Sequence, residues 1–433
     1  MKTKKTEYML FGGEPNHTGL YINRIKALSD MGMDVSLILK CIISYTDIYS
    51  YLYKKNDIKI GPSTVFKITK QIPGVLITIP YITRISFVGK IIFTIAASIV
   101  FKRISSRCDQ LIIHCMNSAE YVIFIKKLLR LNNIKIISEV EGDIISEMEY
   151  VIDLEHNKYS TAKKQLILDR AYKTQKKIVE SSDILLCPTE NMRSLIRDRF
   201  SISAFKKTNV FPFFASSSLF YYDQHARELM RKKLGLTGRF VVVYCGNLRD
   251  SWQMPSMLAK VFKIINNLTD NAFFYIITPR SNELFMRPFL KDVHNSNYTF
   301  MEIEHSEISA YLCAADCALL IREPHLMNKV VAPAKFAEYA LTGLPIIMTT
   351  GIGYYPEMMR DNDNALILSD LESDVAIKSQ LEKYVIQKIP KLNRTEFADW
   401  ASVRFSLEQQ IPKLINAYAH AAEMTVDNSL STM

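Results

Sequence analysis

The chain has 433 residues, 48% of them hydrophobic and 23% charged, which is more than one ordinary core needs and excludes a disordered or low-complexity protein. Its net charge of +10 is uneven: residues 1–205 hold 30 Lys plus Arg against 20 Asp plus Glu, and residues 206–433 hold 24 of each. A basic first half points to an anionic surface or ligand, and no nucleic-acid motif accompanies the charge, so nucleic acid is not expected as a partner.

The opening run MKTKKTEYMLFGG is basic but has no apolar stretch of signal-peptide length, so a cytoplasmic location is expected. A strand at 8–11 leads through Gly12, Gly13 and Gly19 into a helix at 20–31 and a strand at 35–39. A dinucleotide fold would want an acid at the end of that second strand, which instead ends at Lys40. A strand at 75–79 precedes the apolar segment 85–101, which is interrupted by Lys90 and flanked by Arg84, Lys102, Arg103 and Arg107. That segment falls short of the ~20 apolar residues of a membrane span. It reads either as a helix buried on a sheet or as one that dips into a lipid interface. Strands at 111–114, 134–137 and 184–187, with helices between them, complete the pattern of a parallel sheet covered on both faces. His114 ends one of these strands, and Glu139, Glu141 and Asp143 follow another. The aromatic and serine-rich run 211–222 breaks the alternation and serves as a connector. This divides the chain into an N-terminal domain, 1–205, and a second domain, 206–404.

The second half repeats the plan. Helix 224–234, strand 240–245, helix 255–265, strand 272–277, helix 283–291, strand 298–301 and helix 308–314 lead to a short apolar strand at 317–321. The polar loop beyond it holds Arg322, Glu323, Asn328 and Lys329. Pro333 then opens a helix that carries Lys335 and Glu338 and stops at Thr342-Gly343. A strand at 344–349 empties into Gly351, Ile352 and Gly353. Helix 355–359, strand 365–368 and helix 374–387 follow. A terminal helix at 405–421 is expected to pack back on the first domain, with a flexible tail at 422–433.

Charged groups thus gather at the carboxyl ends of adjacent strands, where open parallel sheets bind ligands. Glu338 is suited to accept both hydroxyls of a ribose, Lys335 one turn away to neutralise a diphosphate, and the glycine turn to offer N–H groups to an anion. A solvated i,i+3 ion pair worth ~0.2–0.5 kcal/mol would use the same two residues. The ordered array of loop charges, Pro, Lys, Glu and two glycine turns favours the nucleotide reading.

The run P-x-K-F-x-E-Y-x-x-x-G-x-P, from Pro333 to Pro345, resembles the donor-nucleotide segment of GT-B glycosyltransferases, especially the retaining family 4 enzymes of bacterial surface polysaccharides. The resemblance implies an α/β GT-B fold, two Rossmann-like domains with a cleft between them. It implies a nucleotide-sugar donor, UDP- or GDP-linked, and no further cofactor. The acceptor would be a lipid-linked or growing glycan in capsule, O-antigen or exopolysaccharide synthesis, with the enzyme held at the inner face of the cell membrane. Glu338 would hold the donor ribose and an upstream acid the donor sugar. The common family spacing puts that acid at position 330, which is Val330 here, so Glu323, fifteen residues upstream, is the nearest candidate. Gly13 would lie in a loop touching the diphosphate. Gly246 and Gln253 frame the loop Asn247–Arg249–Trp252, where relatives carry Gly-Arg-Leu; Arg249, Arg322 and Lys335 are the candidate cations. Asn328, Gly351 and Gly353 would complete the donor pocket. His114 would hydrogen-bond the sugars, and Glu139 and Glu141 stand where relatives place Asp-x-Arg-Gly for the acceptor.

Three other readings weigh less. Asp361-Asn362-Asp363 superficially matches a paired-aspartate metal site but sits in a polar turn, so no obligatory metal is expected. Seven scattered cysteines, at 41, 108, 115, 187, 245, 313 and 317, fit reduced core thiols. A nucleotide-sugar epimerase of similar fold, or an inactive glycan-binding relative, would carry the same donor segment.

Overall fold

The computed structural model describes residues 5–12, 18–43, 76–82, 86–116, 119–155, 158–202, 207–249 and 251–424. They form two compact units: one from residues up to 188, 192–211 and from Ile411 on, the other from 189–191 and 212–410.

The first unit is built on a seven-stranded sheet. Its strands are β1 (Thr6–Gly12), β2 (Val35–Ile43), β3 (Leu76–Ile82), β4 (Gln110–Cys115), β5 (Ile134–Glu139), β6 (Ile184–Cys187) and β7 (Lys207–Val210), in the order β3-β2-β1-β4-β5-β6-β7. All pairs are parallel, with Leu10 opposite His114 and Ile113 opposite Ile136. Strands covered on both faces need no polar alternation, which is why β4 and β6 are buried at every position. The terminal helix Leu407–Glu423 joins this unit from Ile411. Its Tyr418 ring lies 5.7 Å from that of Tyr8, and its hydroxyl is 2.8 Å from His114 Nδ1.

The second unit holds β8 (Phe240–Cys245), β9 (Ala272–Ile277), β10 (Tyr298–Met301), β11 (Cys317–Leu320), β12 (Ile346–Thr349) and β13 (Ala365–Leu368). They run parallel in the order β10-β9-β8-β11-β12-β13. Both sheets therefore have the doubly wound order of a Rossmann fold, reversing once beside the first strand of each unit.

Several elements differ from the sequence expectation. Strand β7, KTNV, is short and polar because it is a sheet edge paired on one side, so no apolar run announces it. The expected helix at 283–291 is a 3₁₀ turn at Arg280–Asn282, one α-turn at Glu283–Met286 and another 3₁₀ turn at Arg287–Leu290; Pro288 has no N–H to continue an α-helix. The helix from Asp374 is α-helical to Glu382 and then widens into a π-helical stretch, Lys383–Lys388. The polar loop after β11 contains a helical turn, Leu326–Lys329. Helix Arg394–Phe405 was not expected; the Asn393 side chain caps it and bonds Glu396 in return.

Candidate functional site

In the second sheet the strand order reverses between β8 and β11, and ligands of open α/β sheets bind outside the carboxyl ends at such a point. Helix Ala334–Leu341 delivers Lys335 and Glu338 there. Pro333 occupies its N-cap position, and Gly343, at φ 62°, ends it with the paired Gly343–Ala340 and Leu344–Tyr339 hydrogen bonds of a Schellman cap. The helix is locked to β8 by the fully buried Tyr339, whose hydroxyl accepts the Cys245 N–H at 3.0 Å.

Lys335 reaches back to the end of β8. Its Nζ donates to the Tyr244 hydroxyl at 3.2 Å and lies 4.7 Å from the centre of that ring, a hydrogen bond and a cation–π contact from one residue. Gly246 makes the approach feasible: at φ 146° it suits no L side chain, and a Cβ there would lie 2.0 Å from Lys335 Nζ. The Tyr244 hydroxyl also faces the Asn247 carbonyl at 2.9 Å and Gln253 Oε1 at 3.3 Å. Asn247 is in turn held by the buried Asn282 amide at 2.8 Å, and its Oδ1 accepts the Arg249 N–H at 3.1 Å. Arg249 itself is exposed.

The loop after β11 is tied on both sides. Thr349 Oγ1, at the end of β12, accepts the Arg322 N–H at 2.9 Å and donates to its carbonyl at 2.6 Å. The Arg322 guanidinium donates to Asn328 Oδ1 at 3.4 Å, and Asn328 Nδ2 to the Glu323 carbonyl at 3.0 Å. The Glu323 N–H reaches the Trp252 carbonyl at 3.0 Å, joining this loop to the one after β8. Gly351 lies so close that a Cβ would come within 2.6 Å of both Pro324 Cα and the Glu323 carbonyl. The Gly353 N–H is spent on the Asn328 carbonyl at 2.9 Å. Asn328 and Gly353 therefore shape the loop through bonds within the protein.

Glu338 is mostly buried and has a partner the sequence did not suggest: His305 Nε2, 3.5 Å away on the segment after β10. The hydrogen bond to Glu338 raises the His305 pKa against the opposing effect of burial. Protonated His305 thus competes for the carboxylate, fully below the ordinary histidine value and no longer once the pH passes its raised one. A diol ligand of Glu338 should bind more weakly at about pH 6 than at about pH 8. Calorimetry on wild type and His305→Gln should show the difference between the two pH values shrinking in the variant; an unchanged difference would place the effect elsewhere.

His114 lies in the first unit, fully buried, with Nδ1 on Tyr418 and Nε2 2.9 Å from Glu139 Oε1. Burial lowers its pKa despite the carboxylate beside it. Glu139 also binds Arg24; burial alone would raise its pKa, but Arg24 and His114 hold it below the usual carboxylate range. Gly13 is outside the described residues. In the turn 361–364, Asn362 Oδ1 accepts the Asn364 N–H at 2.9 Å and Asp363 pairs with Lys388. Among the described residues no three His, Cys, Asp or Glu side chains converge to hold a metal ion.

No protein-family model and no curated protein sequence matches this chain. Solved structures do. HepE of Anabaena, in complex with UDP and glucose, superposes with a TM-score of 0.64 at 11% identity, covering 95% of this chain and 100% of that one. A glycosyltransferase of Rickettsia africae gives 0.66 at 12% identity, over 98% and 100%. WaaG, a glycosyltransferase involved in lipopolysaccharide biosynthesis, gives 0.59 at 14% identity, over 95% and 98%. The chain has the α/β GT-B fold of these glycosyltransferases.

Proposed function

We propose that the protein is a glycosyltransferase that moves a sugar from a nucleotide diphosphate to a lipid-linked or growing glycan in bacterial surface-polysaccharide synthesis, with retention and without a metal. The observation that carries this is the pair Lys335 and Glu338, set one turn apart on a helix locked to the end of β8 at the switch point. Glu338 takes the ribose diol, while Lys335, Arg322 and Arg249 balance the diphosphate and Glu323 faces the donor sugar. Gly246, Gln253, Asn328, Gly351 and Gly353 frame that pocket. His114 enters only on release from Tyr418 or Glu139. The leaving diphosphate gains charge as the bond breaks, so catalysis rests on positioning and on fixed cations, with no protein nucleophile. Binding of UDP or UDP-glucose by HepE supports the donor class. A panel of nucleotide sugars, assayed for binding and slow hydrolysis, tests it. Binding of none would refute the reading, and conversion to another sugar nucleotide without acceptor would make the chain an epimerase.

Helix Ser86–Ser105 supports attachment to a membrane surface. Phe93, Ala97 and Phe101 are fully buried, while Ile91, Ile95 and Ile99, four residues apart on another face, are 43%, 56% and 65% exposed. Lys102 and Arg103 end the helix and Arg107 follows, all exposed. No described helix is long and apolar enough to cross a membrane. An isoleucine stripe beside cations suits the interface of an anionic leaflet, where each basic residue contributes ~1 kcal/mol, screened beyond about 8 Å at physiological salt. The protein should sediment with anionic vesicles at low salt, and Gln at Lys90, Lys102 and Arg103 should release much of it. Indifference of the wild type to such vesicles would favour a soluble acceptor.

A further inference from the structure

The acidic run after β5 contains members that the fold does not use. Glu139 is taken by Arg24 and His114, and Asp143 caps helix Ile144–Leu154 and pairs with Arg199. Glu141 and Glu147 make no side-chain hydrogen bond or ion pair among the described residues, and both line a cavity of about 330 Å³ at the end of β5. The cavity lies among helices Ala119–Leu129, Ile144–Leu154 and Thr161–Ser181, all within the first unit.

A second, independent feature points the same way. Gln175, from the third of those helices, lines the cavity at 1% exposure, and neither its amide oxygen nor its amide nitrogen has a hydrogen-bond partner. An unpaired buried amide is destabilising, and a polar group entering the cavity is what would satisfy it. Among the described residues that line the space there is no Lys, Arg or His, so no lining side chain is a cation that would pair with a phosphate or carboxylate. Burial and the neighbouring Glu139 and Glu147 charges push Glu141 up to about 8, a crowding that a cation would relieve.

We propose that this cavity binds a sugar carrying a protonated amine, with Glu141 and Glu147 on the ammonium group and Gln175 on a hydroxyl. On the glycosyl-transfer reading this makes the acceptor terminus an amino sugar, and that identification rests on that reading; the binding itself does not. The size of the space suits one sugar ring.

Calorimetry on the full chain with glucosamine, N-acetylglucosamine and glucose tests the proposal, with UDP as the control ligand. Glucosamine should bind at least about tenfold more tightly than the other two sugars, and Glu141→Gln should remove about that factor without changing UDP affinity. Gln175→Leu should weaken all three sugars; should it not fold, Glu141→Gln decides, with its thermal melt as the folding check. Equal affinity for the three sugars, or none while UDP binds, would overturn the amine site and leave the donor reading intact. Binding of glucosamine by a wild type that binds no member of the nucleotide-sugar panel would overturn the donor reading and leave the site standing.

Discussion

Lys335→Ala should lower turnover on the identified donor by roughly 10²- to 10³-fold, the effect of removing one preorganised partner of a developing anion. The ammonium group is aimed before any ligand arrives: the Tyr244 ring and hydroxyl fix it, and Gly246 leaves it room. Its contribution to folding is far smaller, since a half-exposed cation–π contact is worth about 0.5–1 kcal/mol. The variant's melting temperature should therefore fall by only a few degrees, roughly 2–4 °C for a domain near 200 residues. Comparison of turnover with melting temperature separates the two roles. Full turnover in Lys335→Ala would return the residue to the helix surface, with Tyr244 as its structural partner. Arg322→Ala should also slow the reaction, but less cleanly, because the guanidinium holds Asn328 as well.

Much of the architecture could be read from hydrophobic runs because strands buried on both faces show themselves directly: FVVVYC at β8 and ILLC at β6 have no polar residue to hide them. The same rule failed at β7, an edge strand whose four residues include Lys207, Thr208 and Asn209. Helix Arg394–Phe405 could have been found from its Asn393-x-x-Glu396 capping box, with Phe397, Ala401 and Phe405 buried at helical spacing. Lys335 and Glu338 were legible because one short helix carries both. His305 was not, since its meeting with Glu338 depends on the chain crossing from edge strand β10 back to β11, an order that no local pattern encodes. No pattern sets Tyr244 apart within strand 240–245, yet its hydroxyl is the point on which Lys335, Asn247 and Gln253 meet.

The same separation of anchor from ligand residue governs Glu338. The helix is fixed by Tyr339 on Cys245, so Glu338→Ala removes a carboxylate without unlocking the element that carries it. The ribose hydroxyls would then face a mostly buried surface with no acceptor, at a cost of about 1–3 kcal/mol, which raises the donor Kd by roughly 5- to 150-fold. Glu338→Gln, which keeps one acceptor oxygen, should fall between. The sharper test compares the nucleotide diphosphate with its 2′-deoxy form in a double-mutant cycle. Wild type should distinguish the two, and Glu338→Ala should bind both with the same weakened affinity. If the variant keeps wild-type affinity and still discriminates against the deoxy ligand, another residue holds the ribose, and His305–Glu338 is a structural ion pair.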